Sequence, residues 1–527
     1  MARTTRSLVQ TNTVTAPAVH DPSPLAQTRT PSRFRRLLHH PPSLVLAFVV
    51  LGSAFRLGQY LSHRSFWHDE AFIVLNIQDK TPRQLLGPLE HDQAAPPLFL
   101  LAQKSLVTWL GQSEFVFRLM PLLLALGGLA IFARLALTAA PAAAPWAVAM
   151  LAFSDKLIWH AAEAKQYSGD IFIGVLILYL GLGLPRVPVM VRVGMVSVLS
   201  AAALWFSHPA VFVFGGVSLS VLPEVARHWR RRIAPYVSMN LLIVISLVLL
   251  SWFSIRIQQT PFLREHWASR FPDWSHPLLV PFWLVKQVYL FCNHPFEPMG
   301  VLMLALAVAG VIAIAKARAW DSLGAFAGPI VLTLVAAFFQ RYPFGGSRLT
   351  VFLLPGLFML SALGVEHLRQ NLPTDYRRWW WLAPAPFLAA GLGNGGYFLI
   401  CPRTASHIRP VVEYVREHRQ AGEAIYIAAE GRPNRSLELF CYWRPDPPIF
   451  TDLQPGQGIE SRRFWIVIPF LPAHGVRPMQ GVLDYASSLA RQRDSYQVTG
   501  GAAFLFEQVS PSQTQTADEV RAVAGGR

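Results

Sequence analysis

The chain has 527 residues, of which 53% are hydrophobic and only 14% are charged, and its formal net charge is +16. A soluble chain carries nearer a quarter of charged residues, so this composition excludes an ordinary soluble protein. The basic excess is typical of the loop charge that fixes membrane topology, and we predict no nucleic-acid partner.

The first 40 residues are rich in Thr, Ser, Pro and Arg and show no apolar period, which predicts a disordered cytoplasmic tail at 1–40 and not a signal peptide. Apolar runs then recur and predict a helical polytopic membrane protein. Its predicted spans are 42–61, 115–137, 143–159, 167–184, 190–207, 209–225, 235–257, 299–315, 322–339, 349–366 and 380–400.

One further apolar stretch, 96–111, is too short to be counted as a transmembrane helix. At 1.5 Å per residue it reaches about 24 Å, which is short of a hydrocarbon core of about 30 Å. If it lies on the membrane surface, the arginine-rich loops all fall on one side, as the positive-inside rule requires. We therefore predict about 11 transmembrane helices with interfacial helices in the first outer loop, and a cytoplasmic N-terminus.

This topology places the polar clusters on the opposite, extracytoplasmic face. The outer segments are 62–114, 160–166, the turn at His208, 258–298, 340–348 and everything after Ile400. No carboxylate falls in the middle of a predicted span, which argues against a proton-coupled transporter.

The composition changes after the last span. We predict a transmembrane catalytic domain at 41–401, a small α/β domain at 402–510 on the outer face, and a disordered tail at 511–527. Its predicted elements are helices at 407–419 and 477–493, strands at 424–429 and 464–470, and a hairpin of 496–499 with 502–507.

The first outer loop begins with an acidic pair, Asp69 and Glu70, directly after Phe66-Trp67-His68. Carboxylates near lipid are costly and tend to be functional. A general base that activates an acceptor hydroxyl or amine needs a carboxylate held near its target, so both are candidate catalytic residues. The alternative is an interfacial pair that only caps a surface helix.

Two further outer segments carry candidate substrate-binding residues. His91 precedes Pro96-Pro97, a helix-start signal that explains the prolines but not the histidine. In the second outer loop, Glu163, Lys165 and Tyr167 lie at the mouth of a span, where a cation and a carboxylate suit a phosphate and a sugar. The alternative there is a local salt bridge at a helix end.

A third outer segment, 340–348, contains Arg341, Tyr342 and Arg348, although the positive-inside rule predicts no arginines on this side. Guanidinium groups bind phosphate in a bidentate manner, so the two arginines are candidate substrate-binding residues, and Tyr342 beside Arg341 is included with them. The alternative is that the two arginines only extend their charged ends to water at the membrane interface. The scattered outer histidines and the three cysteines show no ligand spacing, so we predict no metal and no cofactor; a Cys401–Cys441 disulfide is left open.

In order and spacing over about residues 42–400, these pieces resemble the GT-C glycosyltransferases, a glycosyltransferase family 39-like group. The resemblance is to bacterial relatives of the protein O-mannosyltransferases and of the lipid A aminoarabinose transferase. Its motifs are Asp69-Glu70-Ala71, His91 with Pro96-Pro97-Leu98, Arg118-Leu119-Met120-Pro121, Glu163-Ala164-Lys165-Gln166-Tyr167, and Arg341-Tyr342-Pro343 with Arg348. Lys165 stands where relatives usually have arginine, which keeps the charge and loses the fork geometry.

The resemblance implies a multi-pass enzyme of the bacterial inner membrane that uses a polyprenyl-phosphate-linked sugar donor. It further implies inverting transfer to a glycan, lipid or protein acceptor on the outer face, with Asp69 as base and basic residues on the lipid phosphate. Two other functions are compatible with the residues: a transporter or flippase for a lipid-linked saccharide, and a non-catalytic envelope-assembly protein.

The arginine bias gives a first testable prediction. Topology-reporter fusions after Thr138, Arg232 and Arg378 should report the cytoplasm, and fusions near Ser275 and after Gly422 should report the outer side. A cytoplasmic signal after Gly422 would refute the count of eleven spans.

Overall fold

The structure is a computed structural model, and it describes residues 41–404, 406–428, 437–443, 450–452, 459, 461–469 and 480–508. The predicted N-terminal tail and the predicted tail after 510 lie outside these residues. The described chain is mostly helical and has one small sheet near its C-terminal end.

The helices, numbered in chain order, follow the apolar runs of the sequence. They are α1 Pro41–Leu61, α2 His68–Asp79, α3 Pro97–Leu110, α4 Glu114–Ala139, α5 Ala144–Phe153, α6 Asp155–Ala161, α7 Tyr167–Leu182, α8 Val189–Ala203, α9 Ala210–Arg227, α10 Trp229–Gln258, α11 Pro261–His266, α12 Val280–Asn293, α13 Gly300–Lys316, α14 Trp320–Phe338, α15 Leu354–Asn371, α16 Ala385–Ile400, α17 Arg409–His418, α18 Leu437–Tyr442 and α19 Gln480–Leu489.

Among the described residues, six helices are long and apolar enough to cross a membrane: α1, α4, α9, α10, α14 and the segment Arg348–Asn371 that contains α15. Four of the other predicted spans contain the shorter apolar helices α5, α7, α8 and α13, and the last contains α16. The protein is therefore a multi-pass membrane protein, while the number of eleven crossings stays a prediction.

The predicted continuous span at 143–159 is wrong in one respect, because the helix breaks at Ser154 into α5 and α6. The buried Arg56 of α1 donates to the carbonyls of Leu151 and Ala152 at 2.9 and 2.8 Å. These are among the last carbonyls of α5, which lack partners within the helix, so a cation from another helix stabilises the break.

Close contact between helix backbones holds the membrane part together. A Cβ atom placed on Gly310 of α13 would lie only 1.9 Å from the carbonyl oxygen of Leu360 in α15, and one on Gly364 would lie 1.9 Å from that of Leu306. Small residues let membrane helices approach in this way, where lipid offers no hydrophobic driving force for association.

The first outer loop folds into α2, a 3-10 turn at Gln84–Leu86 and α3. Helix α3 coincides with the predicted interfacial stretch 96–111 and starts with Pro97, a residue suited to a helix's first turn. His91 and Asp92 precede it with positive φ values of 61° and 51°, so the chain turns sharply there.

The C-terminal region forms a five-stranded mixed sheet in the order β2-β1-β3-β5-β4. The strands are β1 Ala424–Ile427, β2 Phe450–Asp452, β3 Arg463–Ile468, β4 Ala490–Val498 and β5 Gly501–Gln508. The predicted helix at 407–419, the two predicted strands and the hairpin at Gly500-Gly501 are confirmed where the structure describes them. The predicted helix at 477–493 is wrong beyond Leu489, since β4 begins at Ala490 and pairs with β5.

Candidate functional site

The two acidic residues lie in the first turn of α2, where carboxylates interact favourably with the positive end of the helix dipole. Trp67 is the N-cap, and its backbone N–H donates to Glu70 Oε2 at 3.2 Å. Successive residues of a helix point about 100° apart. Asp69 therefore faces a cavity, whereas Glu70 points into the protein and does not line that cavity.

Glu70 forms a completely buried ion pair with Arg118 of α4. The guanidinium donates to both carboxylate oxygens, at 2.8 and 2.6 Å, and the backbone N–H of Ala164 adds a third bond at 2.8 Å. Burial raises the pKa of the Glu70 carboxyl, but the charges of Arg118 and Arg64 outweigh it and hold the pKa below its usual range. With its lone pairs occupied, Glu70 is suited to positioning and not to accepting a substrate proton.

Arg118 also fixes the segment that leads into α2. It donates to the backbone carbonyls of Arg64 and Ser65 at 2.6 and 2.9 Å. Arg64 is itself buried, donates to the Ala162 carbonyl and stacks over the Trp159 ring at 3.8 Å. Arg118 thus joins the segment before α2 to the first turn of α2. Through Glu70 it also connects both to the loop after α6.

Asp69 has a different environment, because two cations approach it from other loops. Its Oδ2 lies 2.9 Å from Arg348 Nη1 and 3.6 Å from Lys165 Nζ. The Lys165 contact is longer than a hydrogen bond and the Arg348 contact lacks hydrogen-bond alignment, so both cations act on this buried oxygen through charge. Burial raises the pKa of Asp69, yet Lys165 and Arg348 together hold it below the usual value. Asp69 is thus an ionised carboxylate with unused acceptor capacity.

The loop 160–166 that carries Lys165 is held by Glu163. This buried carboxylate accepts from Trp67 Nε1 at 3.2 Å and lies 2.6 Å from His160 Nδ1. Lys165 Nζ donates to Gln93 Oε1 at 2.9 Å, and burial lowers the pKa of its ammonium. Glu163 therefore holds the loop in place, and the Lys165 ammonium points toward Asp69 and Gln93.

A cavity of about 1710 Å³ lies beside Asp69 and Lys165. Its polar part contains Asp69, Gln93, Lys165 and Arg348, and other walls are apolar. The apolar lining comes largely from membrane helices and the segment after α10: Val211, Phe212, Leu247, Ile255, Phe262, Phe271 and Ala336. A single space thus offers charged groups to a polar ligand and hydrocarbon surface to an apolar one.

Seven of the nine predicted site residues line this cavity: Asp69, His91, Lys165, Tyr167, Arg341, Tyr342 and Arg348. Glu70 and Glu163 lie behind it. Tyr342 donates to the Leu349 carbonyl at 2.8 Å and so braces the turn before Arg348, while Arg341 is exposed. The Tyr167 ring lies 5.9 Å from the Arg348 guanidinium carbon.

Sequence reasoning missed three residues that organise the site. Arg118 was noted only as part of a motif, and Arg64 and Gln93 received no role. An arginine near the start of an apolar helix is a signal, since a charge there needs a partner. The identity of that partner, 48 residues away, required the structure.

No protein-family model matches the sequence, and no curated protein matches it either. Among solved structures, the chain is similar to ArnT from Cupriavidus metallidurans bound to undecaprenyl phosphate, at 14% identity and a TM-score of 0.48, over 87% of this chain and 98% of that one. It is also similar to the oligosaccharyltransferase AglB from Archaeoglobus fulgidus in complex with an inhibitory peptide and a dolichol-phosphate, at 11% identity and a TM-score of 0.46, over 90% and 74%.

Both TM-scores are below 0.5, and the function proposed below rests on the geometry of the site.

The buried pair gives a stability prediction. Arg118→Met should leave the buried Glu70 carboxylate without its hydrogen-bonded cation and with Arg64 at 3.8 Å, and breaking a buried pair costs about 3–5 kcal/mol. We expect a much lower thermal transition in detergent, measured by fluorescence-detected size exclusion. Asp69→Asn is the control, because it leaves the Glu70–Arg118 pair intact. Equal transition temperatures for the two variants would contradict the role given to Arg118.

Proposed function

We propose that the protein is an integral-membrane glycosyltransferase of the inner membrane. It moves a sugar from a polyprenyl-phosphate-linked donor to an acceptor on the extracytoplasmic face. The observation that carries the proposal is the under-bonded Asp69 carboxylate, placed between Lys165 and Arg348 in a cavity that also has apolar membrane-helix walls.

The charges of the cavity suit the donor. A polyprenyl-phosphate sugar has a phosphodiester with one negative charge, and its apolar chain requires a hydrocarbon surface. Lys165 and Arg348 supply two cations, and the walls from α9, α10 and α14 supply the apolar surface. Charge-assisted contacts to an anion are the strong class of hydrogen bond.

In the proposed reaction the acceptor X–H attacks the anomeric carbon from the side opposite the phosphate. The X–H proton passes to Asp69 Oδ2, the X–C1 bond forms, and the C1–O bond to phosphate breaks, with inversion. The phosphate leaves as a monoester and gains negative charge. Lys165 and Arg348 stabilise that charge more in the transition state than in the ground state, which is the condition for catalysis.

Donor binding would also change the state of the base. In the structure Arg348 lies 2.9 Å from Asp69 Oδ2, and a phosphate that draws this guanidinium to itself leaves the carboxylate freer to accept a proton. The remaining site residues have supporting roles: Glu70 and Glu163 position the two loops, and His91, Tyr167, Arg341 and Tyr342 contact substrate along the cavity.

The first prediction from this mechanism concerns the base. Asp69→Asn keeps the shape of the side chain but cannot accept a proton usefully, and loss of a general base costs roughly 10²–10⁴-fold in rate. Mass spectrometry of lipid-linked sugars and envelope glycans, with the gene deleted and then restored as wild type or Asp69→Asn, should show donor accumulation and loss of one glycan modification in both deficient strains.

Normal modification by the Asn variant would exclude Asp69 as the base. If the deletion instead changes the side of the membrane on which the lipid-linked sugar lies, and no transfer product is lost, the protein is a transporter or flippase. An unchanged glycan profile and unchanged lipid-linked sugars in the deletion strain would favour a non-catalytic envelope protein.

The second prediction concerns the cations. Lys165→Met removes a charge that lowers the pKa of Asp69 but leaves the burial that raises it, so this pKa should rise. Because the ionised carboxylate is the active form, the acidic limb of the kcat/KM profile should move to higher pH. The loss of a contact to the phosphate, worth about 1.5–3 kcal/mol, should raise the apparent donor constant roughly ten- to hundredfold.

Lys156→Met is the matched control, since Lys156 pairs with the half-exposed Glu297 at 3.9 Å and does not line the cavity. Arg348→Lys should raise the donor constant less than Arg348→Gln does, because an ammonium keeps the charge but not two parallel bonds. Unchanged donor constants in all of the Lys165 and Arg348 variants would reassign these residues as interfacial anchors.

A further inference from the structure

The C-terminal region packs directly on the chain segment that leads into α2. Arg403 contacts Gln59 near the end of α1. The outer loop itself is contacted at His63, Ser65, Phe66 and His68, and the partners in the C-terminal region are His407, Arg409, Glu438 and Tyr442. The side chains of Leu437 and Cys441 in α18 join the same buried cluster as Phe66 and Val74. Helix α18 therefore packs on α2, which carries Asp69.

Tyr442 contacts the segment directly before the first turn of α2. Its hydroxyl accepts from the backbone N–H of Phe66 at 2.5 Å and donates to Glu114 Oε1 at 3.1 Å, and its ring stacks on Phe66 with centroids 5.8 Å apart. Phe66 is buried, so its backbone N–H has no access to bulk water. The tyrosine thus satisfies a buried donor three residues before Asp69.

Neighbouring contacts hold the same segment. Ser65 Oγ lies 2.9 Å from His407 Nδ1 and accepts from the backbone N–H of Arg409 at 3.1 Å. Arg409 extends between the His63 carbonyl at 3.1 Å and Glu114 at 2.7 Å. The segment before α2 is therefore anchored on one side by Arg118 and on the other by the C-terminal region.

Glu438 continues this contact into the first turn of α2. It is completely buried, accepts from Ser406 Oγ at 2.7 Å and lies 3.9 Å from His68 Nδ1. Burial raises the pKa of the Glu438 carboxyl to about 8, so it is neutral at pH 7 and can lie close to the charged Glu70. His68 lines the cavity beside Asp69.

We propose that the C-terminal region is a positioning element of the catalytic site, in which Tyr442 and Arg409 fix the segment 63–68 and thereby set the direction of Asp69. The catalytic consequence rests on the proposed glycosyltransferase function. The contact itself does not depend on that function. A base must be held close to its productive geometry, and small displacements cost large factors in rate.

Tyr442→Phe tests this proposal in the full-length protein. Loss of the hydroxyl leaves the Phe66 N–H buried without an acceptor, so amide hydrogen exchange in peptides covering 62–70 should become at least roughly tenfold faster. The rate constant kcat should fall roughly ten- to hundredfold, while the donor KM stays within about twofold, because Lys165 and Arg348 are on other loops.

The matched control is Tyr414→Phe. The Tyr414 hydroxyl donates to Asp494 at 2.5 Å within the same C-terminal region and does not contact the outer loop. This variant loses a tyrosine hydrogen bond to a carboxylate within the region, so it reports any general loosening of the region. We expect wild-type exchange at 62–70 and wild-type kcat.

A second variant and its control test the same contact if Tyr442→Phe does not fold. Arg409→Lys removes the fork between His63 and Glu114, and Arg463→Lys removes a similar arginine that pairs with Glu423 inside the region at 3.0 Å. Only Arg409→Lys should accelerate exchange at 62–70 and lower kcat.

The results separate the two proposals. If each loop-contacting variant matches its control in exchange and kcat, the positioning role is overturned. If the wild type transfers no sugar but exchange at 62–70 still accelerates in Tyr442→Phe alone, the contact stands and the proposed glycosyltransferase function fails.

Discussion

The buried ion pair between Glu70 and Arg118 is the interaction on which the site depends. It directs one of two adjacent carboxylates into the protein, and through helix geometry it leaves the other facing the cavity. The same guanidinium holds the backbone of Arg64 and Ser65. A charge pair without water is costly to assemble and more costly to break, so it is suited to fixing one arrangement.

The cavity combines two kinds of surface that a protein interior normally separates. Lys165 and Arg348 lie 3.6 and 2.9 Å from the Asp69 carboxylate, and membrane helices provide the apolar walls nearby. The two cations lower the pKa of the carboxylate that burial would raise. The site can therefore stay ionised without bulk water.

Sequence reasoning predicted the positions of the apolar helices well, because hydropathy depends only on composition along the chain. It also predicted that Asp69, Lys165 and Arg348 would face the same side, since topology places loops before their contacts are known. The residues alone did not separate Asp69 from Glu70, because that requires the first residue of α2 and the position of Arg118; the resemblance alone favoured Asp69 as the base. The break at Ser154 was missed for a similar reason, as the stabilising Arg56 comes from another helix.

The C-terminal region was the least predictable part. Helix and hairpin signals at 407–419 and 496–507 are local, so they could be read. The strand after Leu489 depends on pairing with β5, and the polar residues Arg491, Gln492 and Arg493 favoured a helix when considered alone. The contacts of Tyr442 and Arg409 with the first outer loop carry no local signal at all.

The distance in sequence between Phe66 and Tyr442 has a consequence for biosynthesis. Their hydrogen bond joins residues 376 positions apart, so the acceptor for a buried N–H of the first outer loop leaves the ribosome long after the donor. A nascent or truncated chain that stops before Tyr442 lacks this partner. The contact is thus completed only after Tyr442 has been synthesised, and shorter copies in the membrane carry an unfinished first loop.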